Sequence, residues 1–341
     1  MIGITIPDFG VFFTRNLIRG TEAEAKEIEK GINEALWDIE QSGYYNDIGP
    51  MAPELLKQIM NERLSSIIKG MVQFAQTKRP GGGGTTFDAW KRIGGGTSDF
   101  FYHATRGYAI GTRLVKTDHS ETDEKYKNEY ERIYAIFNNS NKTIPDQALR
   151  GKIPDNSFNQ YDTEIGFWVS FYNTNRNLGL SFFESDTNIG LVGLGNLIKT
   201  MIKQESSFNP YDKNGNVKRH QINKSGPNDE IDGWGLMAVG KDKVNELNNL
   251  FSLNFDANSF GPSSTNNFTN IGVGIGHLCV QRYYNENGGY KDIEGDPSFI
   301  NKGDNSLEAW LIAVKCYNGF FVEAHCYRDI VRERYRRYRS Q

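Results

Sequence analysis

The chain has 341 residues, enough for two domains with well-buried cores. A net charge of −3 gives no global electrostatic case for nucleic acid or an anionic membrane, and no apolar run approaches the roughly 18 residues of a spanning helix. The three cysteines, Cys279, Cys316 and Cys326, are an odd number, which excludes a fully paired framework. Cys279 and Cys316 sit in apolar helical patterns that suit buried thiols, and one disulfide among the three stays open.

The N-terminal stretch MIGITIPDFGVFFTRNLIRG lacks an early basic region, a continuous apolar region and a small-residue cleavage site, so no secretory signal is expected. The first predicted helix covers Thr21–Gly43. Thr21 and Glu24 form a capping box, Ile28, Ile32, Ala35, Leu36 and Ile39 form a stripe, and Gly43 ends it. A second is predicted over Pro53–Lys78, with Leu56, Ile59, Met60, Leu64, Ile67, Ile68 and Met71 on one face. Arg79–Thr86, RPGGGGTT, reads as a flexible break, and another glycine cluster follows at Gly94–Gly96. Neither is a phosphate loop, which needs Lys and then Ser or Thr after its last glycine to reach phosphate and magnesium. Here Gly84 precedes Thr85-Thr86, and Gly96 precedes Thr97-Ser98.

Asp99–Lys116 is apolar, aromatic and β-branched, and is expected to include strands. Thr122–Asn138 returns to a helical pattern, with Tyr126, Tyr130, Ile133, Tyr134 and Phe137 on one side. Asn139–Asn159 is rich in Asn, Pro and Asp and is the candidate linker, dividing the chain into 1–158 and 159–341. A fragment from about residue 160 is therefore expected to fold alone. Gly166–Tyr172 and Leu178–Phe183 fit helix or strand equally. Arg328–Arg339, RDIVRERYRRYR, reads as a solvated basic helix end, with a docking patch for an acidic partner as the alternative.

The residues that suggest chemistry lie in Ile198–Pro210, IKTMIKQESSFNP. Ile198, Met201 and Ile202 recur at helical spacing, and Glu205 is the next position on that stripe. A carboxylate at a helix end is commonly solvated or capping. On a core-facing stripe it is costly unless paired or protonated, and desolvation favours the neutral form that a general acid needs. The histidines His103, His119, His220, His277 and His325 show no paired metal-binding spacing, which disfavours a catalytic zinc. Asp212-Lys-Asn214-Gly-Asn216 is similar to the start of a calcium loop, but Val217 and Asn223 stand where Gly and Glu are required. A turn at Asn214-Gly215 is expected instead, and no cofactor or metal.

Four motifs then follow in one order: Glu205–Pro210, Gly235–Met237, Asn270–Leu278 and Tyr317–Asn318. This series, over roughly residues 185–325, resembles the catalytic domain of soluble lytic transglycosylases and of goose-type lysozymes. The resemblance implies a mainly α protein with a C-terminal lysozyme-like α domain. The N-terminal part is expected to be a separate, mostly helical (α+β) domain; residues 1–160 carry no such motif. It implies cleavage of the MurNAc–GlcNAc β-1,4 bond of peptidoglycan, with Glu205 as the catalytic acid. In a transglycosylase one glutamate protonates the leaving oxygen and then deprotonates the C6 hydroxyl of MurNAc, closing a 1,6-anhydro ring. Tyr317 is expected to orient Glu205 by hydrogen bonding. Ser206, Ser207, Gly235, Leu236, Met237 and Asn318 are the expected glycan-binding positions, although the serines also suit the polar end of a helix. The Gly of Asn270-Ile271…Gly274…Leu278 is expected to permit close helix packing.

Three departures qualify the match. Ala238 stands where the family has Gln, and Asn318-Gly319-Phe320 replaces Asn-Ala-Gly. Tyr211–Asp232 is longer than the usual connection and carries Asp212, Asp229, Glu230 and Asp232. Asp229 falls where goose-type lysozymes hold a supporting Asp, while their further Asp would fall at Gly240. The expected activity is thus a lytic transglycosylase. The alternatives are a goose-type hydrolase using Asp229 or Asp232, or a degenerate glycan-binding structural component. The expected partners are peptidoglycan strands and, through the N-terminal part or the basic C-terminal segment, phage-tail or injection-machine proteins. A substrate in the periplasm or cell wall, without a secretory signal, favours delivery by such an apparatus over another export route or release by lysis.

Overall fold

The computed structural model describes residues 21–78, 84–118, 132, 135, 155–220, 233–261, 266–288, 300–318 and 322–339. The expected helix over Thr122–Asn138, apart from residues 132 and 135, and most of the expected linker lie outside them, as do Asp229, Glu230 and Asp232. Within them the protein is mainly α.

Helix α1, Glu22–Gln41, starts at the expected capping box: Glu24 N donates to Thr21 Oγ1 at 3.3 Å, and Thr21 N donates to Glu24 Oε2 at 2.8 Å. Helix α2, Pro53–Gln76, buries its second half through Leu64, Ile67, Ile68, Met71 and Phe74, whereas Leu56, Ile59 and Met60 are only half-buried. Thr85, expected in a flexible break, instead caps α3, Thr86–Arg92, in a reciprocal box with Asp88.

The strands expected in Asp99–Lys116 are not formed. The segment is helix α4, Thr97–Arg113, and buries Phe100, Phe101, Ala104, Ala109 and Ile110. Burial on several sides overrides the β preference of its aromatic residues. Helix α5, Asp162–Arg176, settles the ambiguous Gly166–Tyr172, while Leu178–Phe183 is neither helix nor strand. The α4–α5 crossing is close because a Cβ on Gly166 would stand only 2.1 Å from the Gly107 carbonyl oxygen, and one on Gly107 2.5 Å from Phe167 N.

Helix α6, Gly190–Ser206, is central. The stripe of Ile198, Met201 and Ile202 suggests one buried face, yet Lys199 and Lys203 are as buried as its leucines. Helices α4 and α5 pack on it, as does α10, Val322–Arg339. Lys203 pairs with the buried Asp118 at 3.1 Å, and Lys199 with Asp162 at 2.7 Å. Burial nevertheless pulls the Lys199 ammonium down to about 8 against the raising effect of Asp162. Such pairs tolerate burial rather than drive folding.

A short antiparallel pair follows, β1 Arg219–His220 and β2 Gly233–Trp234, with Arg219 opposite Trp234 and His220 opposite Gly233. Helices α7, Lys241–Phe251, α8, Asn267–Glu286, and α9, Leu307–Tyr317, complete the fold. Helix α8 packs on α5, α7 and α9, and α9 packs on α10. Cys279 and Cys316 are buried free thiols; burial pushes Cys279 up to about 12.

The basic run does not form a solvated end. Arg334 and Arg337 are buried with Val331, Tyr335 and Tyr338. Arg334 donates to Gln204 at 2.8 Å, Tyr335 to Glu184 at 2.8 Å, and Arg339 meets Glu184 at 2.7 Å. Its charges serve the attachment of α10 to the rest of the chain.

One contiguous hydrophobic cluster runs from Ile28 to Tyr338 and joins α1–α4 to α5–α10. The expected boundary at 158/159 therefore coincides with no break in the packing: α5, just after it, is covered by α4, from before it.

Candidate functional site

Glu205 lies in the last turn of α6, and the backbone turns sharply after it. Ser207 (φ 53°) and Phe208 (φ 59°) both adopt left-handed conformations, and Ser207 N donates to the Ile202 and Lys203 carbonyls at 3.1 Å. Ser206 Oγ donates to the Ile202 carbonyl and Ser207 Oγ to that of Lys203. Both serines thus close the helix end. The Glu205 side chain keeps 12% of its surface exposed.

The loop facing it is Gly233–Val239. Trp234 and Val239 exchange backbone hydrogen bonds at 3.0 and 3.1 Å, and Gly235 N donates to the Lys218 carbonyl at 3.0 Å. Gly235 (φ 77°) and Ala238 (φ 50°) supply the positive dihedrals of this turn. Leu236 and Met237 are fully buried, so they anchor the turn in the core rather than present side chains to a ligand. Asn270 clamps it from α8, accepting from Met237 N at 3.0 Å and donating to the Trp234 carbonyl at 2.8 Å. The expected role of Gly274 is met: a Cβ there would lie 2.5 Å from Met237 Sδ.

Tyr317 corrects one expectation. Its hydroxyl donates to the Met237 carbonyl at 2.5 Å, so its proton holds the turn and is not spent on Glu205. It is still close enough that the Glu205 charge, after burial, raises its pKa. Asn318 is exposed at the end of α9.

The tyrosine hydroxyl that faces Glu205 is that of Tyr327, on α10. Burial first, then the nearby Glu205 charge, raise the Tyr327 pKa well above 10. Among the described residues the hydroxyl makes no hydrogen bond of good geometry, so it and Glu205 are neighbours in imperfect alignment. Opposite, His220 Nδ1 lies 3.8 Å from Glu205 Oε2, and His220 Nε2 is 3.0 Å from the Gly235 carbonyl. A carbonyl only accepts, which assigns the proton of a neutral ring to Nε2 and turns the Nδ1 lone pair toward Glu205. Lys218 donates to the Glu205 backbone carbonyl at 3.2 Å.

Beside this lies a second polar group. Lys243 Nζ stands 4.6 Å above the Tyr317 ring and 3.5 Å from the Ala238 carbonyl. Burial lowers its pKa, opposed by the charges of Glu205, Asp242 and Glu246. Glu246 Oε2 is 3.5 Å from His277 Nδ1, and Tyr284 donates to Oε1 at 3.0 Å. The His277 ring beside it, first among the causes, holds Glu246 below the usual carboxylate range, and burial depresses His277 to about 4.

Sequence reasoning missed Tyr327, His220, Lys243, Glu246 and His277. Only Tyr327 had a readable signal: Tyr327, Val331, Arg334, Tyr335 and Tyr338 recur at helical spacing inside the basic run. Asp212, an expected spare carboxylate, folds back on its own turn and accepts from Asn214 N and Asn216 N at 2.8 and 3.0 Å. Clefts lined by Arg92, Asn254 and Thr269, and by Trp37, Asp38 and Tyr102, do not include Glu205. Among the described residues no group of His, Cys, Asp and Glu is arranged to hold a metal ion, and no helix is long and apolar enough to cross a membrane. Compared with family models, curated proteins and solved structures, the chain matches none.

Proposed function

We propose that the chain is a peptidoglycan-cleaving enzyme that acts on the MurNAc–GlcNAc bond as a lytic transglycosylase, with Glu205 as acid and then base. The observation that carries this reading is the setting of Glu205: a mostly buried carboxylate at a helix end, flanked by Tyr327 and His220, opposite a turn clamped by Asn270 and Tyr317. A general acid needs an oriented oxygen at the bond it protonates, and Tyr327 and His220 stand where they can orient the Glu205 carboxyl. Glu205 gives its proton to the glycosidic oxygen as the C1–O bond breaks. The carboxylate then takes the proton of the C6 hydroxyl while that oxygen bonds to C1. The nucleophile belongs to the substrate, so no second carboxylate is required. Delivery by a phage tail or contractile injection apparatus is part of the same proposal.

The test is mass spectrometry of digested sacculi. Products one water lighter than reducing ends support the transglycosylase, and their disappearance in Glu205→Gln assigns the acid, since losing one typically costs about 10²–10⁴ in rate. Reducing ends that vanish in Asp229→Asn or Asp232→Asn would replace it with a hydrolase. Glycan binding without cleavage would leave a structural component.

A further inference from the structure

The proposed cleavage step leaves Lys243 and Glu246 unused. They are three residues apart on α7 and share one face. The Lys243 ammonium has three donors, yet its hydrogen bond to the Ala238 carbonyl, at 3.5 Å, is at the outer limit, and Ala238 adds only a methyl group. Glu246 is 29% exposed, and its two oxygens retain accepting capacity beyond Tyr284 and His277. Behind them, Gln281 is more than nine-tenths buried, and its Oε1 has no hydrogen-bond partner among the described residues. Buried polar atoms left in that state mark a place that a ligand or water completes.

We propose that this face is an acetamido subsite, in which Lys243 donates to the carbonyl oxygen of an N-acetyl sugar and Glu246 accepts its N–H. The inference rests on the glycan-cleaving reading and places the recognised sugar next to the bond at Glu205. An acetamido group carries one donor and one acceptor, and one ammonium with one carboxylate on a single helix face reads both. The Tyr317 ring, under Lys243, adds apolar surface beside them. Glu205, Asp242 and Glu246 all act on Lys243, so the surroundings disfavour an anionic ligand and favour a neutral amide.

Calorimetric titration of the full chain carrying Glu205→Gln, with tetra-N-acetylchitotetraose (here chitotetraose) and with cellotetraose, tests this. The two probes differ by their acetamido groups. The expected result is a preference for chitotetraose of about tenfold or more, the scale of one charge-assisted hydrogen bond. Adding Lys243→Met or Glu246→Gln should remove most of it by weakening chitotetraose alone, and Lys243→Arg should retain part. Unchanged preference in Lys243→Met, with an unchanged melting temperature, would overturn the subsite. So would an absent preference in the parent while the unsubstituted chain cleaves sacculi. Preferential binding without any cleavage would uphold the subsite and sink the cleavage reading alone.

Discussion

Asn270 is the residue whose replacement best tests how the site is built. It is fully buried, and its amide joins two backbone groups of one turn, Met237 N and the Trp234 carbonyl, at 3.0 and 2.8 Å. Asn270→Leu keeps the branching of the side chain but removes both the acceptor and the donor. Each buried backbone group left unpaired costs about 1–3 kcal/mol, a gross loss of about 2–6 kcal/mol. The added apolar atoms return about 1–2 kcal/mol, leaving a net loss of about 1–4 kcal/mol. At about 2–4 °C per kcal/mol for a large domain, the melting temperature should fall by roughly 2–16 °C. The assay is thermal unfolding by circular dichroism, with turbidity clearing of sacculi on the same sample at a temperature where the variant is folded. Clearing should also fall, because the turn opposite Glu205 loses its clamp. A shift under about 2 °C with full clearing would show that the turn stands without Asn270 and refute the reasoning.

The two tyrosines should separate. Tyr317→Phe orphans the Met237 carbonyl and should cost about 1–3 kcal/mol of stability, whereas Tyr327→Phe deletes a hydroxyl with no other partner and should lower kcat with little change in melting temperature; equal stability losses would contradict this. A fragment beginning at residue 160 should aggregate or melt early, because it exposes the face of α5 that α4 covers; a soluble, cooperatively folded fragment would support the boundary expected from the sequence. Acid should destabilise the fold above the carboxylate range. Folding depresses His277 to about 4 and His103 to about 3, so between their ordinary 6.5 and those values the unfolded chain binds more protons. Stability is full above pH 6.5 and falls as pH drops toward 4, by about 3 kcal/mol for each histidine. Urea midpoints at pH 7, 5.5 and 4.5 measure it; a flat profile, or one unchanged in His277→Gln, would exclude the mechanism.

Local interactions are what the sequence determined by itself. The capping box at Thr21 and Glu24, the stripe of α1 and the turn at Asn214-Gly215 need only neighbours in the chain, and each is found as read. The close packing at Gly274 was also legible, because a glycine within an apolar helical pattern signals a near neighbour. Where several elements compete to cover one segment, periodicity stops being informative. Helix α6 reads as amphipathic, yet α4, α5 and α10 surround it, and Lys199 and Lys203 are buried because Asp162 and Asp118 meet them there. The aromatic run of α4 reads as strand because propensity is a weak prior, and burial against α1 and α5 decides it. The basic run of α10 reads as a solvated end because charge alone does not reveal that Gln204 and Glu184 await it. The surroundings of Glu205 follow the same rule. The motif marks the carboxylate, but Tyr327, His220 and Lys243 come from α10, β1 and α7, far apart in the chain. Only tertiary packing brings their polar atoms to one place, since a buried donor or acceptor takes whichever partner the fold supplies.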